Sequence, residues 1–228
     1  MKIHRFITPV TLAKDVTITD KELVHQMNRV LRFEAGETIA ICDGNGQEAH
    51  YSIASIDKQQ VVLAQTTVPT TCPAPTVAVT VFAAILKKEN FELLVQKATE
   101  IGVAAIVPVV TERTVKQGLN MERLHKIAKE ASELCGRGTI PTVSEPISFN
   151  DAVAQGNNFN DAWILHMEGT TRSTATVATR AILVGPEGGF TEDELNKATG
   201  KDWKTIRLSP LTFRGETGGI IGSYVATQ

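Results

Sequence analysis

The sequence predicts an α/β protein in two parts: a small N-terminal β-barrel, then a larger domain in which strands and helices alternate. Three observations predict it. Up to about residue 70, apolar residues fall in short β-branched runs bounded by turn formers. From about residue 76 they fall in longer apolar runs separated by stretches of helical period. Between the two, Pro69-Thr70-Thr71-Cys72-Pro73-Ala74-Pro75 places three prolines in seven residues. Prolines withdraw amide donors and fix φ, so this stretch reads as an extended tether that divides the chain into domains 1-70 and 74-228.

In the first part, strands are expected at 3–7, 38–42, 49–56 and 61–66. Asp43-Gly44-Asn45-Gly46 supplies the positive φ angles of a hairpin turn between the second and third. Leu23, Met27, Val30 and Leu31 recur at helical spacing and predict one helix, whose opposite side carries His25, Arg29 and Arg32.

In the second part, residues 76–86 and 104–110 are runs suited to strands buried on both faces of a parallel sheet. Phe91, Leu94, Val95, Ala98 and Ile101 define a helix that Gly102 can cap. Asn120 can start another, with Leu124, Ile127, Ala128, Ala131 and Leu134 on one face and Gly136 at its end. Further strands are expected at 162–166, 181–184 and 205–208, and Thr191-Glu192-Asp193-Glu194 has the spacing of a capping box.

A net charge of −2 excludes a histone-like coat or a polybasic membrane anchor, so any nucleic-acid binding must come from local clustering. No apolar run approaches the roughly 18 residues that span a bilayer. Met1-Lys2-Ile3-His4-Arg5 has no secretory pattern, so a soluble, cytoplasmic protein is expected. Cys42, Cys72 and Cys135 lie far apart without a CxxC, and His50, His125 and His166 lack partners at ligand spacing. That argues against a metal site or a disulfide framework and leaves the cysteines as small buried or neutral residues.

Three segments carry candidate chemistry, one of them 87–112, whose Lys97, Glu100 and Glu112, with Arg113 after them, read by themselves mostly as solvated surface charges. In Val184-Gly185-Pro186-Glu187-Gly188-Gly189-Phe190-Thr191 a buried strand runs into a glycine-rich turn and a capped helix. Such a turn either serves clearance or bares amides at the carboxyl edge of a parallel sheet, where α/β folds bind ligands. The order is neither GxGxxG nor GxxxxGK[ST], so no dinucleotide or nucleoside triphosphate is indicated. In Arg207-Leu208-Ser209-Pro210-Leu211-Thr212-Phe213-Arg214-Gly215-Glu216-Thr217 a second strand ends in an irregular loop with Arg214 and Glu216. In isolation these two charges read as a solvated ion pair.

Together these segments resemble a known family. Gly185-Pro186-Glu187-Gly188-Gly189, Phe213-Arg214-Gly215-Glu216-Thr217, Lys97-Ala98-Thr99-Glu100-Ile101-Gly102-Val103 and Thr111-Glu112-Arg113 resemble motifs of the ribosomal RNA small subunit methyltransferase E family. So do Glu130-Ala131 with Glu133 and Gly136-Arg137, and His25, Arg29-Val30-Leu31-Arg32 with Asp43-Gly44 and Gly46. The resemblance implies a PUA-like RNA-binding β-barrel followed by a SPOUT methyltransferase domain with a deep trefoil knot, acting as a homodimer. It implies S-adenosylmethionine as cofactor and N3 of a uridine in 16S rRNA of the small ribosomal subunit as target. By this likeness Leu165, His166, Met167, Glu168, Val184, Gly185, Pro186, Glu187, Gly188, Gly189, Leu208, Ser209, Leu211 and Phe213 hold the cofactor. Ser209-Pro210-Leu211-Thr212 departs from the family's last motif, and Gly218, Gly219 and Gly222 stand where its members have an alanine-rich helix.

Methyl transfer from a sulfonium needs no metal, because the leaving group is already activated. Uridine N3 carries a proton that a base must remove or an anion that a cation must stabilise. The charged pair beside the cofactor loop, Arg214 and Glu216, is therefore expected to stabilise the anion and to take the proton. The basic residues His4, Arg5, His25, Arg29 and Arg32 are expected to hold RNA phosphates. A different RNA target, or RNA binding without catalysis, are the competing readings.

Overall fold

The computed structural model describes residues 3–115, 118–170 and 177–228. The chain forms two compact units, Met1–Pro73 with Ser132–Ile140, and Ala74–Ala131 with Pro141–Gln228.

The first unit contains β1 (His4–Ile7), β2 (Asp15–Ile18), α1 (Lys21–His25), β3 (Thr38–Cys42), β4 (Gln47–Ile56), β5 (Val61–Gln65) and β6 (Thr70–Thr71). Its sheet runs β1-β3-β4-β5-β2, with β6 paired to β4; β1 lies parallel to β3 and the other pairs are antiparallel. Alternate residues of the strands, including Phe6, Ile39, Ile41, Tyr51, Ile53 and Leu63, meet Leu23 and Met27 in one core. The β3–β4 turn forms as its sequence dictates. Gly44 and Gly46 take φ of +83° and +93°, and the Asp43 carboxylate accepts from the amides of Asn45 and Gln47 at 2.7 and 3.0 Å.

Three features of this unit differ from expectation. Thr70–Thr71 is not a bare tether but a short strand on Gln47 and Glu48, because the prolines flank the two threonines and leave their amides free to pair. Val30, expected on the apolar stripe, is 65% exposed. The helix passes into a π-helical turn, Gln26–Val30, where Leu31 N donates to Gln26 O at 2.9 Å, and the inserted residue rotates Val30 outward. Ser132–Ile140 belongs here because Glu133 accepts from the Ile7 amide at 3.0 Å and Gly138 O accepts from the Gly46 amide at 3.2 Å.

The second unit contains β7 (Ala78–Ala84), α2 (Lys88–Ile101), β8 (Ala105–Val110), α3 (Met121–Cys135), β9 (Thr142–Val143), β10 (Ile147–Ser148), α4 (Phe149–Ala154), β11 (Asp161–Thr170), β12 (Thr179–Val184), α5 (Glu192–Thr199), β13 (Lys204–Ile206) and α6 (Gly215–Ala226). Its strands are all parallel in the order β10-β8-β7-β12-β11-β13, with β9 beside β8. Both faces are buried, as the continuous apolar runs require. Val79, Val81, Ala83, Ile182 and Val184 face α2, α3 and α6, while Phe82, Ala181 and Leu183 face α4 and α5. The chain leaves β7 toward β8 and leaves β12 toward the other edge, so the carboxyl ends of β7 and β12 form the switch point of the sheet.

The expected caps hold: Gly102 and Gly136 take φ of +105° and +84°, Asn120 accepts from Arg123 N, and Thr191 and Glu194 form a reciprocal capping box. One α3 residue falls off the expected apolar face, Leu134 being 60% exposed, and of the three cysteines Cys42 and Cys72 are buried and Cys135 is exposed. Among the described residues, no helix is long and apolar enough to cross a membrane.

Helix α6 packs chiefly on α2 and also on β12 and β7. Its glycines are seats rather than weak points. A Cβ on Gly219 would lie 2.5 Å from Leu94 Cδ1, and one on Gly222 would lie 2.5 Å from Leu165 Cδ1. Arg180 holds the far end, donating from Nη1 to Ala226 O at 2.6 Å while its guanidinium lies 4.2 Å from the centre of the Trp163 ring. Gly219→Val and Gly222→Val are each expected to destabilise the protein by about 1–3 kcal/mol through overpacking. Gly218, whose nearest neighbour to a built Cβ is Phe213 Cβ at 3.9 Å, gives the opposite sign: Gly218→Ala should stabilise by roughly 0.5–1 kcal/mol. Denaturant melts of the three variants check both statements.

Candidate active site

The carboxyl edge of the second unit's sheet opens into a cavity of about 720 Å³. Four chain segments line it: residues after β7, the middle of β11, the turn after β12, and the loop joining β13 to α6. All the expected cofactor residues except Glu168 line this cavity, and so do Arg214 and Glu216. Glu168 is exposed on the continuation of β11, which passes beyond the pocket. Lys87 and Asn90, from the candidate segment 87–112, also line it, although neither was expected among the cofactor residues. Their signal was their position, directly after the first buried strand of the parallel sheet.

The turn after β12 is held rigidly from outside. Gly189 N donates to Pro186 O at 2.9 Å, with Gly189 at φ +69°. Gly185 must lack a side chain because a Cβ there would meet Phe190 Cε2 at 3.1 Å. From the segment after β8, Arg113 donates to Gly188 O at 2.7 Å, and a Cβ on Gly188 would meet its Cδ at 3.3 Å. Beside it, Glu112 N donates to the buried Glu194 carboxylate at 2.9 Å, and Thr191 Oγ1 donates to Glu112 at 3.2 Å. These bonds use the outward carbonyl of the turn. The amides of Glu187 and Gly188 have no acceptor among the described residues. The Glu187 carboxylate accepts from Lys87 N at 3.2 Å, tying the turn to the end of β7.

The unusual Ser209-Pro210 loop is braced by Arg207, which donates from Nε to Ser209 O at 3.0 Å and from Nη2 to Pro210 O at 3.3 Å. Leu211 N donates to Ser209 Oγ at 3.0 Å. Arg214 occupies the N-cap position of α6, is exposed, and has no side-chain partner among the described residues. Glu216, in the first turn of α6, is only 8% exposed, and its Oε2 is buried without a hydrogen-bond partner among the described residues. The two residues do not form the ion pair that their spacing suggests, because the helix start points one outward and the other inward.

In the first unit, His4, His25, Arg29 and Arg32 are exposed, and Arg32 is one of the two non-glycine residues with positive φ among the described residues, at +56°. A groove of about 500 Å³ there is lined by Asn28, Arg29, Asp57, Lys58 and Gln59. Arg5 does not join this exposed set. Its guanidinium is bonded to Glu48 through Nε and, at 3.2 Å, through Nη2, and the Glu48 hydrogen bond raises its pKa further. Arg137 does not line the cavity of the second unit; it lies in the Ser132–Ile140 segment and donates to Thr139 Oγ1 at 3.4 Å.

A small mixed sheet followed by a parallel sheet with a glycine-rich turn at its switch point is the framework of an RNA methyltransferase, as two family matches show. Residues 73–225 match the family described as RNA methyltransferase domain, and residues 18–64 match the RNA methyltransferase PUA domain. The chain is 30% identical to ribosomal RNA small subunit methyltransferase E of Rickettsia conorii, over 96% of this chain and 93% of that one. With the Bacillus subtilis protein of that name it shares 29% identity, over 90% and 86%. A Legionella pneumophila methyltransferase solved with its cofactor SAM superposes with a TM-score of 0.90 at 26% identity, covering 99% of this chain and 97% of that one. The chain belongs to the ribosomal RNA small subunit methyltransferase E family.

Arg113→Ala is expected to loosen the turn without unfolding the protein. Exchange of the Gly189 amide, which is bonded to Pro186 O, should quicken by about tenfold, while global stability changes by no more than about 1 kcal/mol because the arginine is exposed. Hydrogen exchange read by mass spectrometry, beside a denaturant melt, checks it.

Proposed function

We propose that the protein transfers the methyl group of S-adenosylmethionine to N3 of a uridine in 16S rRNA of the small ribosomal subunit. The observation that carries this reading is the cavity at the switch point, lined by Glu187 and Gly188 with their unpartnered amides, by Glu216 and by apolar side chains. The amides of Glu187 and Gly188 suit the polar edge of an adenine, and Leu165, Val184, Leu208 and Phe213 suit its faces. No metal is required. The chain's own task is to align nucleophile, methyl and sulfur and to exclude water.

Glu216 takes the N3 proton, and Arg214 stabilises the negative charge that then spreads over the uracil ring. The burial of Glu216 and the exposure of Arg214 fit these two roles, one group inside the pocket and the other at its rim. His4, His25, Arg29 and Arg32 hold phosphates of the RNA, with residues 1-70 forming a PUA-like barrel and 74-228 a knotted SPOUT domain. The protein works in the cytoplasm as a homodimer. Exposed Met167 and Leu211 at the cavity rim, with exposed Tyr224 on α6, are apolar surface that a second copy would cover.

Mass mapping of modified nucleosides in 16S rRNA, with and without the protein, tests the reading; an unchanged N3-methyluridine position would overturn it. Arg214→Ala should lower single-turnover methylation of 30S subunits by on the order of 10² or more with little change in cofactor affinity. Glu216→Gln should slow the reaction most at low pH, because the variant relies on solvent hydroxide and its rate climbs with pH where the wild type has levelled.

A further inference from the structure

We propose that Cys42, Glu48 and Cys72 form a binding site for a soft divalent metal ion of the zinc class, held within the first unit. Their ligand atoms, two thiol sulfurs and a carboxylate oxygen, all lie within 4.8 Å of one another, and Cys42 Sγ is 3.4 Å from Glu48 Oε2. The positions are distant in the chain and carry no CxxC. Strand pairing assembles them: Cys42 sits opposite Glu48 in the β3–β4 ladder, and β6, one residue before Cys72, pairs with Gln47 and Glu48. Metal–sulfur bonds of roughly 2.3 Å and metal–oxygen bonds of roughly 2.0 Å need donors somewhat under about 4 Å apart, which small side-chain rotations supply.

The surroundings match a closed structural site. Ile7, Cys42 and Cys72 make a small apolar cluster apart from the main core of the unit. Gly138 covers it so closely that a Cβ there would stand 2.6 Å from Cys72 Sγ. Arg5 grips the Glu48 carboxylate from the side and would remain as the hydrogen-bonded partner that orients a ligating carboxylate. A water molecule can fill the fourth position.

Charge also closes. On binding, each thiol releases its proton to solvent and forms a metal–sulfur bond. Two thiolates, one carboxylate, one divalent cation and the Arg5 guanidinium then sum to neutrality. Without metal, burial and then Glu48 push the Cys42 thiol well above its ordinary range, and the same causes raise Cys72, so both remain thiols and Cys42 donates to Glu48. The ion would tie the end of β3 and the start of β4 to the last residues of the unit before Pro73. Cys135, exposed on α3, takes no part and serves as an internal control.

The test uses the full chain, stripped with a chelator under reducing conditions and titrated with cadmium while the ultraviolet cadmium–thiolate band is followed. One equivalent should bind. The band should vanish in Cys42→Ser and in Cys72→Ser, persist in Cys135→Ser, and require roughly ten- to a hundredfold more metal in Glu48→Gln. Cobalt added to the wild-type protein gives a reading that needs no variant, since intense visible absorption marks tetrahedral thiolate ligation and weak absorption marks surface binding. A band that is absent from the wild type, or that survives in the Cys42→Ser, Cys72→Ser double variant, overturns the proposal, and so does weak cobalt absorption.

Discussion

The second unit depends on how closely α6 can lie against the sheet. At Gly215 a Cβ would stand 2.8 Å from Leu86 Cδ2 and 3.3 Å from Gly185 O, and Gly219 and Gly222 meet Leu94 and Leu165 at still shorter range. A side chain at these positions must displace those leucine ends or lift the helix, and lifting it would draw Glu216 away from the cavity. The helix is thus both a layer of the fold and the carrier of the buried carboxylate. Its far end is fixed by Arg180, which is wedged between Trp163, Asp161 and the Ala226 carbonyl. Asp161 in turn accepts from Trp163 Nε1 at 2.8 Å and from Lys204 at 2.7 Å. That network accepts the cost of a buried ion pair and in return leaves the helix one register.

Much of this was legible in the sequence. The long apolar runs at 76–86 and 104–110 could only be strands covered on both faces, and the capping box at Thr191 marked where the ligand turn ends. Reading the glycines of α6 as weak helix formers missed their purpose, because close approach depends on partners such as Leu94 and Leu165 that are remote in sequence. The pairs β9 and β10, two residues each, have no period to detect. The π-turn at Gln26–Val30 looked like ordinary helix because one inserted residue leaves the spacing nearly intact. Arg5 read as a phosphate ligand since nothing local reveals that Glu48 lies across the sheet.

Charge in this protein works by placement rather than by amount. A chain with net charge −2 presents Arg29 and Lys58 on one groove and leaves Arg214 free at the mouth of another. Three other arginines brace backbone: Arg113 fixes the turn after β12, Arg207 fixes the Ser209-Pro210 loop, and Arg180 fixes the end of α6. Planar guanidinium groups suit this work because each reaches two carbonyls or a carbonyl and a ring at once.

The return of Ser132–Ile140 to the first unit bears on how the chain emerges during synthesis. A domain encoded wholly by its N-terminal residues can fold while the rest is still being made. Here the Ile7 and Gly46 amides wait for Glu133 and Gly138. The first unit therefore stays open along that edge until more than half of the 228 residues have been made. The parallel sheet of the second unit, whose centre pairs β7 with β12, must wait longer still. Neither unit is complete early, so the nascent chain passes through a long interval with unpaired strand edges, the state in which chaperone capture or aggregation competes with folding.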